Sequence, residues 1–303
     1  MFRGISFASE GDEQSTVGPA LVAGREWHGS PDPWIRFCLR FMGLETHATG
    51  SFGTTNPSLS SVRKSLAHGK SLTQTCPFDG CRMPTPHFTW PAPDSTDASG
   101  LVALDRDLSA ERLISAYRHG IFPWPDSMLA AAIPWVSPVR RAILEFKALH
   151  VPRNLRRSQR ARSDLRFTHD TAFETVIRAC AASARPGQRG TWITPPMIAA
   201  YTELHRQGHV HSVEAWEGET LVAGLYGVTA GGVFTGESMF HHIDDGSKLC
   251  VLHLIAHLQQ RGATWIDIQQ LTPHFALLGA REIPRSEFLE RLAAEQKMGR
   301  VLF

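Results

Sequence analysis

Two apolar runs with polar ends constrain this chain more than any other feature. The first, Gly231-Gly232-Val233-Phe234-Thr235-Gly236-Glu237-Ser238-Met239-Phe240, reads as a glycine-punctuated strand that ends in an acid. The second, Thr264-Trp265-Ile266-Asp267-Ile268-Gln269, carries an acid and an amide, with Asp267 thirty positions after Glu237. Side chains alternate along a strand, so Asp267 and Gln269 are expected on one face and Ile266 and Ile268 on the other. Polar groups of this kind on a central strand are costly unless hydrogen-bonded or used. The pair is therefore either a satisfied polar contact or a site of chemistry.

The rest of the chain sorts around these strands. Residues 1–90 are rich in Gly, Ser, Thr and Pro, with no sustained period apart from a short apolar piece, Trp34 to Met42. They are expected to be a poorly ordered extension, or sequence upstream of a true start near Met83. Cys76 and Cys81, with His87 nearby, give one C-x4-C without the second pair that a metal knuckle needs. Residues 91–166 are expected to form a small N-terminal α+β domain. Its first helix has Ser109 as N-cap, Glu111 in the first turn, Leu113 and Tyr117 four apart, and Gly120 as its stop. Phe122, Pro123, Trp124, Pro134, Trp135 and Pro138 then predict a rigid loop, whose tryptophans either stack on a base or fill a small core.

Residues 167–303 are expected to be the catalytic domain. Helical spacing runs from Phe173 to Ala182, with Phe173, Val176, Ile177 and Cys180 on one side. A second helix opens at Thr194, with Pro195 and Pro196 in its first turn and Met197, Ile198, Tyr201 and Leu204 on its apolar face. His211 to Trp216 and Thr220 to Val228 read as a hairpin around Glu217-Gly218-Glu219, followed by a strand from Val233 to Phe240. A helix from Lys248 to Gln260, the strand from Thr264 to Gln269 and a helix from Ser286 to Gln296 complete the chain. Two helices, a mostly antiparallel sheet, then helix and strand is the order of a GCN5-related acyltransferase core. The fold class expected is α+β, with an acyltransferase-like C-terminal domain behind the smaller one.

Composition excludes several classes. No apolar stretch approaches the roughly eighteen residues of a membrane span, and the N-terminus lacks a signal peptide's basic start and apolar core. Five cysteines (Cys38, Cys76, Cys81, Cys180 and Cys250), odd in number and widely spread, fit a reducing cytoplasm better than a disulfide framework. A cytoplasmic monomer is expected.

Net charge is only +2, so attraction to a polyanion must come from local clustering. Between Val139 and Arg166 stand nine basic residues, Arg140, Arg141, Lys147, Arg153, Arg156, Arg157, Arg160, Arg162 and Arg166, against Glu145 and Asp164, an excess of seven. Arg153, Arg156, Arg157 and Arg160 are three and four apart, so a helix presents them as one stripe. The stripe is either a solvated helix face or the electrostatic footprint of a phosphate backbone.

The motifs Gly120-Ile-Phe-Pro-Trp124, Gly190-Thr-Trp-Ile-Thr194, His211-Ser-Val-Glu214 and Leu225-Tyr-Gly-Val228 follow one another along the chain. Behind them come Gly236-Glu-Ser-Met-Phe240, Ser247-Lys248, Asp267-Ile-Gln269 and Leu278-Gly-Ala-Arg-Glu-Ile-Pro-Arg285. In this order and spacing the stretch from Gly100 to Leu292 resembles the bacterial leucyl/phenylalanyl-tRNA–protein transferases. The resemblance implies an enzyme that takes Leu, Phe or Met from aminoacyl-tRNA and joins it to the N-terminal amine of proteins beginning with Arg or Lys. The product is then marked for degradation. It implies no metal or coenzyme, because the tRNA ester is already an activated acyl donor.

Such an enzyme must mainly hold an amine against a carbonyl, an orientation effect worth up to roughly 7–11 kcal/mol. An α-amine with a pKa of about 7.7–8.0 is partly neutral near pH 7, so no strong base is required. By resemblance Asp267 and Gln269 match the family's proposed catalytic pair. Asp267 is expected to accept from the attacking amine, directly or through Gln269, or else only to position it. Glu237 matches an active-site acid and is expected to bind the donor's amino group. The resemblance carries the donor pocket to Leu225, Phe234, Val251, Leu254, Leu258 and Ile266, and the terminal adenosine and its ester to Trp124 and Trp192. The tRNA body is assigned to Arg153, Arg156, Arg157 and Arg160.

The chain departs from the family pattern at several places. It has Asp105-Arg106-Asp107-Leu108 for the usual Gly-Gly-Asp-Leu, Trp135-Val136-Ser137-Pro138 for Trp-Trp-Ser-Pro, and Ile268 for a common Cys. His241 replaces a common Ser and is expected close to Glu237. Leu225, Leu254 and Leu258 stand where Met or Phe is frequent, which predicts a roomier pocket. His253 and His257, four apart, lack a third metal ligand. Two rival readings are a coenzyme A-dependent N-acetyltransferase, for which Arg185-Pro-Gly-Gln-Arg-Gly190 is mis-spaced, and a non-catalytic RNA-binding module, which would not require Asp267 and Gln269.

Overall fold

The computed structural model describes residues 89–92, 96, 98–125, 132–183 and 191–303. The expectations for Trp34 to Met42, for Cys76, Cys81 and His87, for Met83 and for Arg185 to Gly190 lie outside the described residues.

The first sheet is small. Strands β1 (Leu101–Asp105), β2 (Phe122–Pro123) and β3 (Ile133–Val136) pair antiparallel in the order β1-β3-β2. The proline-rich stretch expected as a loop thus contributes two short strands. Proline lacks only the donor, and Pro134 still offers its carbonyl to the Trp124 amide at 2.7 Å. Trp135 is fully buried, with its indole N–H on Asp105 Oδ1 at 2.9 Å. Helix α1 (Ala110–Arg118) starts as expected, with the Ser109 hydroxyl accepting from the Arg112 amide, and buries Leu113 and Tyr117.

The second sheet has seven strands. They are β4 (Arg140–Glu145), β5 (Arg166–His169), β6 (Val210–Glu217), β7 (Thr220–Ala230), β8 (Val233–His241), β9 (Trp265–Gln269) and β10 (Arg281–Pro284), in the order β10-β4-β9-β8-β7-β6-β5. Every neighbouring pair is antiparallel except β8 and β9. Strand β4 belongs to this sheet, so the sheet reaches back across the boundary expected at residue 166. Gly231 and Gly232, both at positive φ, make the two-residue turn between β7 and β8, a conformation that side chains with a Cβ resist.

Helices cover both faces. Helices α3 (Phe173–Ala182) and α4 (Pro195–Arg206) pack with α1 against Tyr226, Val228 and Phe240. Helix α5 (Gly246–Gln260) lies against the opposite face, on Val213, Leu225, Phe234 and Ile266. Strand β7 therefore sends alternate residues, Leu225 and Tyr226, into different cores. Phe173, Val176, Ile177 and Cys180 are the buried face of α3, as the spacing predicts. Each large apolar side chain buried this way contributes about 1.5–3 kcal/mol. Helix α2 (Arg153–Ala161) is held by one buried residue, Leu155. Short helix α6 (Pro273–Leu277) follows β9, and α7 (Arg285–Met298) packs Phe288 and Leu292 on Ile143 and Trp265. No helix among the described residues is long and apolar enough to cross a membrane.

Candidate active site

The site lies where β8 and β9 part. These parallel strands share one register pair, Thr235 with Asp267. Beyond it, Gly236 to Met239 of β8, Ile268 and Gln269 of β9, and Gln270 just after it border a cavity of about 320 Å3. That is near the lower end of the roughly 300–1,000 Å3 of small-molecule pockets.

Glu237 enters this space through a β-bulge. Ser238 opposes Tyr226 and Gly236 opposes Gly227, which leaves Glu237 as the extra residue of β8. Gly227 is required there, since a Cβ would lie 2.3 Å from the Thr235 carbonyl oxygen. The Glu237 Oε1 accepts from Tyr117 Oη at 2.8 Å and from Gln269 Nε2 at 2.7 Å, and Tyr201 Oη lies 2.6 Å from Tyr117 Oη. Burial is the main cause that pushes the Glu237 carboxyl up to about 7; Asp267 adds to it, while the Tyr117 bond, Arg141 and the Gln269 bond oppose it. Burial and the neighbouring acid push both tyrosine hydroxyls well above their usual value. Tyr117 was legible only as a residue of an apolar helix face. A buried tyrosine needs a partner for its hydroxyl, and that was the available signal.

Asp267 faces away from the cavity. It is 1% exposed, and both its oxygens are occupied. Oδ1 accepts from Arg141 Nε at 2.8 Å and from the Gln269 amide at 2.9 Å; Oδ2 accepts from an Arg141 terminal nitrogen at 2.6 Å and from Thr235 Oγ1 at 3.1 Å. The expectation that Asp267 accepts directly from an attacking amine therefore meets a geometric obstacle.

The shared face expected for Asp267 and Gln269 is also not kept. Gln269 has φ of 61°, and the Gln270 amide bonds the Ile268 carbonyl at 2.6 Å across it. This one-residue γ-turn is a strained conformation for a residue with a side chain. It breaks the alternation and lets Ile266, Ile268 and Gln269 all border the cavity.

Of the expected pocket residues, Trp124, Trp192, Leu225, Phe234, Val251, Leu254 and Ile266 line the cavity, while Leu258 does not. Leu258 is one helical turn beyond Leu254 and fully buried in the core beneath. Met239, Thr272 and Phe275 line the wall without having been anticipated. Trp124 and Trp192 lie at the cavity with nearly parallel rings, 6.3 Å between centroids and 14° apart. His241 is exposed at the end of β8, within 3.5 Å of Ser247 Oγ, and is not part of the wall. Arg153, Arg156, Arg157 and Arg160 are exposed on α2, and no ion pair among the described residues engages them. His253 stacks on Phe167 and His257 Nε2 meets the Leu302 carbonyl at 2.9 Å; no metal-binding cluster occurs among the described residues. Cys180 and Cys250 are both buried.

A mixed α/β fold with an apolar pocket closed by an acid and a carboxamide suits a group-transfer enzyme with an apolar donor. Comparison with known proteins makes this specific. The family model described as leucyl/phenylalanyl-tRNA protein transferase matches residues 143–293, and that of the family's N-terminal domain matches residues 106–139. A leucyl/phenylalanyl-tRNA–protein transferase of Anaeromyxobacter sp. (strain Fw109-5) is 52% identical over 211 residues, covering 70% of this chain and 88% of that protein. Those of Anaeromyxobacter sp. (strain K) and Nitratidesulfovibrio vulgaris (strain DP4) are each 50% identical, over 67% and 65% of this chain and 86% and 84% of theirs. The chain belongs to the leucyl/phenylalanyl-tRNA–protein transferase family and is by family an aminoacyltransferase.

Proposed function

We propose that this protein transfers Leu, Phe or Met from aminoacyl-tRNA to the N-terminal amine of proteins that begin with Arg or Lys, marking them for degradation in the cytoplasm. The observation that carries this reading is the apolar cavity ending at Glu237 and Gln269 where β8 and β9 part. The donor side chain enters among Leu225, Phe234, Val251, Leu254 and Ile266, and the terminal adenosine rests against Trp124 and Trp192, where stacking on a base is worth about 1–3 kcal/mol. The parting of two parallel strands, with an antiparallel meander on one side and a helical crossover between them, supports a GCN5-related arrangement.

Within the cavity, Glu237 binds the donor's amino group and Gln269 orients the carbonyl or the attacking amine. Asp267 acts behind them, through the Gln269 amide, rather than on the substrate. The ester supplies the driving force: the neutral amine attacks the carbonyl carbon, the bond to the ribose oxygen breaks, and one proton from the amine ends on that oxygen, which leaves as the alcohol. The stripe on α2 holds the tRNA backbone, and the protein acts as a monomer without metal or coenzyme.

The test is incubation with individually charged tRNAs, or with acetyl-coenzyme A, and peptides starting with Arg, Lys or Ala. Transfer from Leu-, Phe- or Met-tRNA to the Arg and Lys peptides is expected. Transfer from acetyl-coenzyme A alone, or none, would sink the reading.

A further inference from the structure

The γ-turn at Gln269 needs something to hold it, and the residue that does so lies on another strand. Arg141, on β4, reaches Asp267 with two nitrogens, at 2.8 and 2.6 Å, and is 2% exposed. Its guanidinium is fixed on every side. It lies 4.5 Å from the Phe122 ring centroid and 4.6 Å from that of Phe288, and its remaining terminal nitrogen donates to the Gly120 carbonyl at 3.3 Å. A two-pronged fork sets the plane of a carboxylate, which a single ammonium cannot do. Thr235 adds a third donor to the same carboxylate at 3.1 Å.

The carboxylate so fixed accepts the Gln269 amide at 2.9 Å. The amide belongs to the residue with φ of 61°, whose side-chain nitrogen reaches Glu237 at 2.7 Å. A continuous set of contacts thus runs from Arg141 through Asp267 and the Gln269 backbone to the acid in the cavity. We propose that Arg141 is a positioning residue for the transfer reaction: by clamping Asp267 it holds Gln269 in its left-handed turn and so aims the Gln269 carboxamide at Glu237 and the reacting groups. The proposal rests on the role given to Gln269 above.

A clamp of this kind acts on rate rather than on substrate affinity. A misplacement of about 1 Å at a reacting group costs on the order of 100-fold in rate. Arg141→Lys keeps the charge and loses the fork. Single-turnover transfer from Phe-tRNA to an Arg-start peptide is measured for wild type, R141K, Q269A and the double variant, with tRNA affinity and peptide KM alongside. R141K is expected to slow the saturated rate by about 100-fold with both affinities within about twofold of wild type, and the double variant to be no slower than Q269A. The proposal is overturned by a saturated R141K rate near that of wild type, or by losses that multiply in the double variant, since Arg141 would then act independently of Gln269. A wild-type rate in Q269A sinks the role given to Gln269 itself, and the clamp with it. If R141K does not melt cooperatively, the neutral pair R141Q/D267N replaces it, with the same expected and overturning results, because it buries no lone charge.

Discussion

Arginines from one short stretch of this chain serve opposite physics. Arg141 is buried between two phenylalanine rings and spends its charge on a single carboxylate. Arg153, Arg156, Arg157 and Arg160, beginning only twelve residues later, stand in solvent on a helix held by Leu155. The first is geometry: direction, distance and enclosure matter, and salt does not reach it. The others are a field: no one contact matters much, and salt screens them all. The same residue type is thus enclosed on a carboxylate in one place and stands in solvent along a helix in another.

The largest effect should follow from breaking the dry side. Asp267→Ala leaves the Arg141 guanidinium buried without its partner, which typically costs about 3–5 kcal/mol. It also frees the Gln269 turn. Transfer should fall by 100-fold or more, on the order set by a displaced reacting group, with a lower melting temperature and unchanged tRNA affinity at temperatures where the variant is folded. Transfer at the wild-type rate would remove Asp267 from the reaction.

Glu237 sharpens the comparison, as a second enclosed charge whose pKa is moved chiefly by desolvation. Its carboxyl loses its proton near pH 7, so transfer should rise through that range as the anionic form becomes available to the donor amine. A second rise belongs to the acceptor amine, near its pKa of about 7.7–8.0. Glu237→Gln should lower the rate and leave only the second rise; an unchanged pH profile would exclude Glu237 as the titrating group. Stability gives an independent check. With its folded pKa raised, Glu237 binds its proton more tightly in the folded state. Its contribution is therefore most favourable below the unfolded value and is lost as pH rises to about 7. The variant should gain on wild type by roughly 1–3 kcal/mol between pH 5 and pH 8, read from denaturant midpoints.

How much of this was legible depends on what each residue does. The α3 face, the β6–β7 hairpin and the α1 cap follow from local rules of spacing and turn chemistry, and these elements stand where the sequence puts them. Strand β4 does not follow from such rules. Its Arg140-Arg141-Ala142-Ile143-Leu144-Glu145 mixes a charge run with residues buried on both faces, so neither period shows. A run of nine basic residues cannot say which one turns inward, because the deciding partner, Asp267, lies 126 positions away. Strand alternation likewise placed Gln269 beside Asp267, since nothing local to Ile268-Gln269-Gln270 announces a γ-turn. Of the residues that family resemblance assigns to the donor pocket, Leu258 alone stands away from the cavity, on the same helix face as Val251 and Leu254 but a turn deeper.

The smallest effect on the reaction, and the one that isolates the wet side, concerns Arg156 and Arg157. Both are exposed, and among the described residues the Arg156 side chain donates from Nε to the Val151 carbonyl at 3.0 Å. Replacing both with Gln removes charge without opening a cavity, so folding stability should change by no more than about 0.5 kcal/mol. If each contacts one phosphate, the slope of log affinity against log salt should become shallower by about 0.9 per residue. Binding should weaken at low salt and converge on wild type at high salt, while the rate at saturating aminoacyl-tRNA stays the same. Titration of labelled tRNA across a salt series decides it. An unchanged slope would free these arginines from the tRNA, and a fall in the saturated rate would show that the field and the site are not separable.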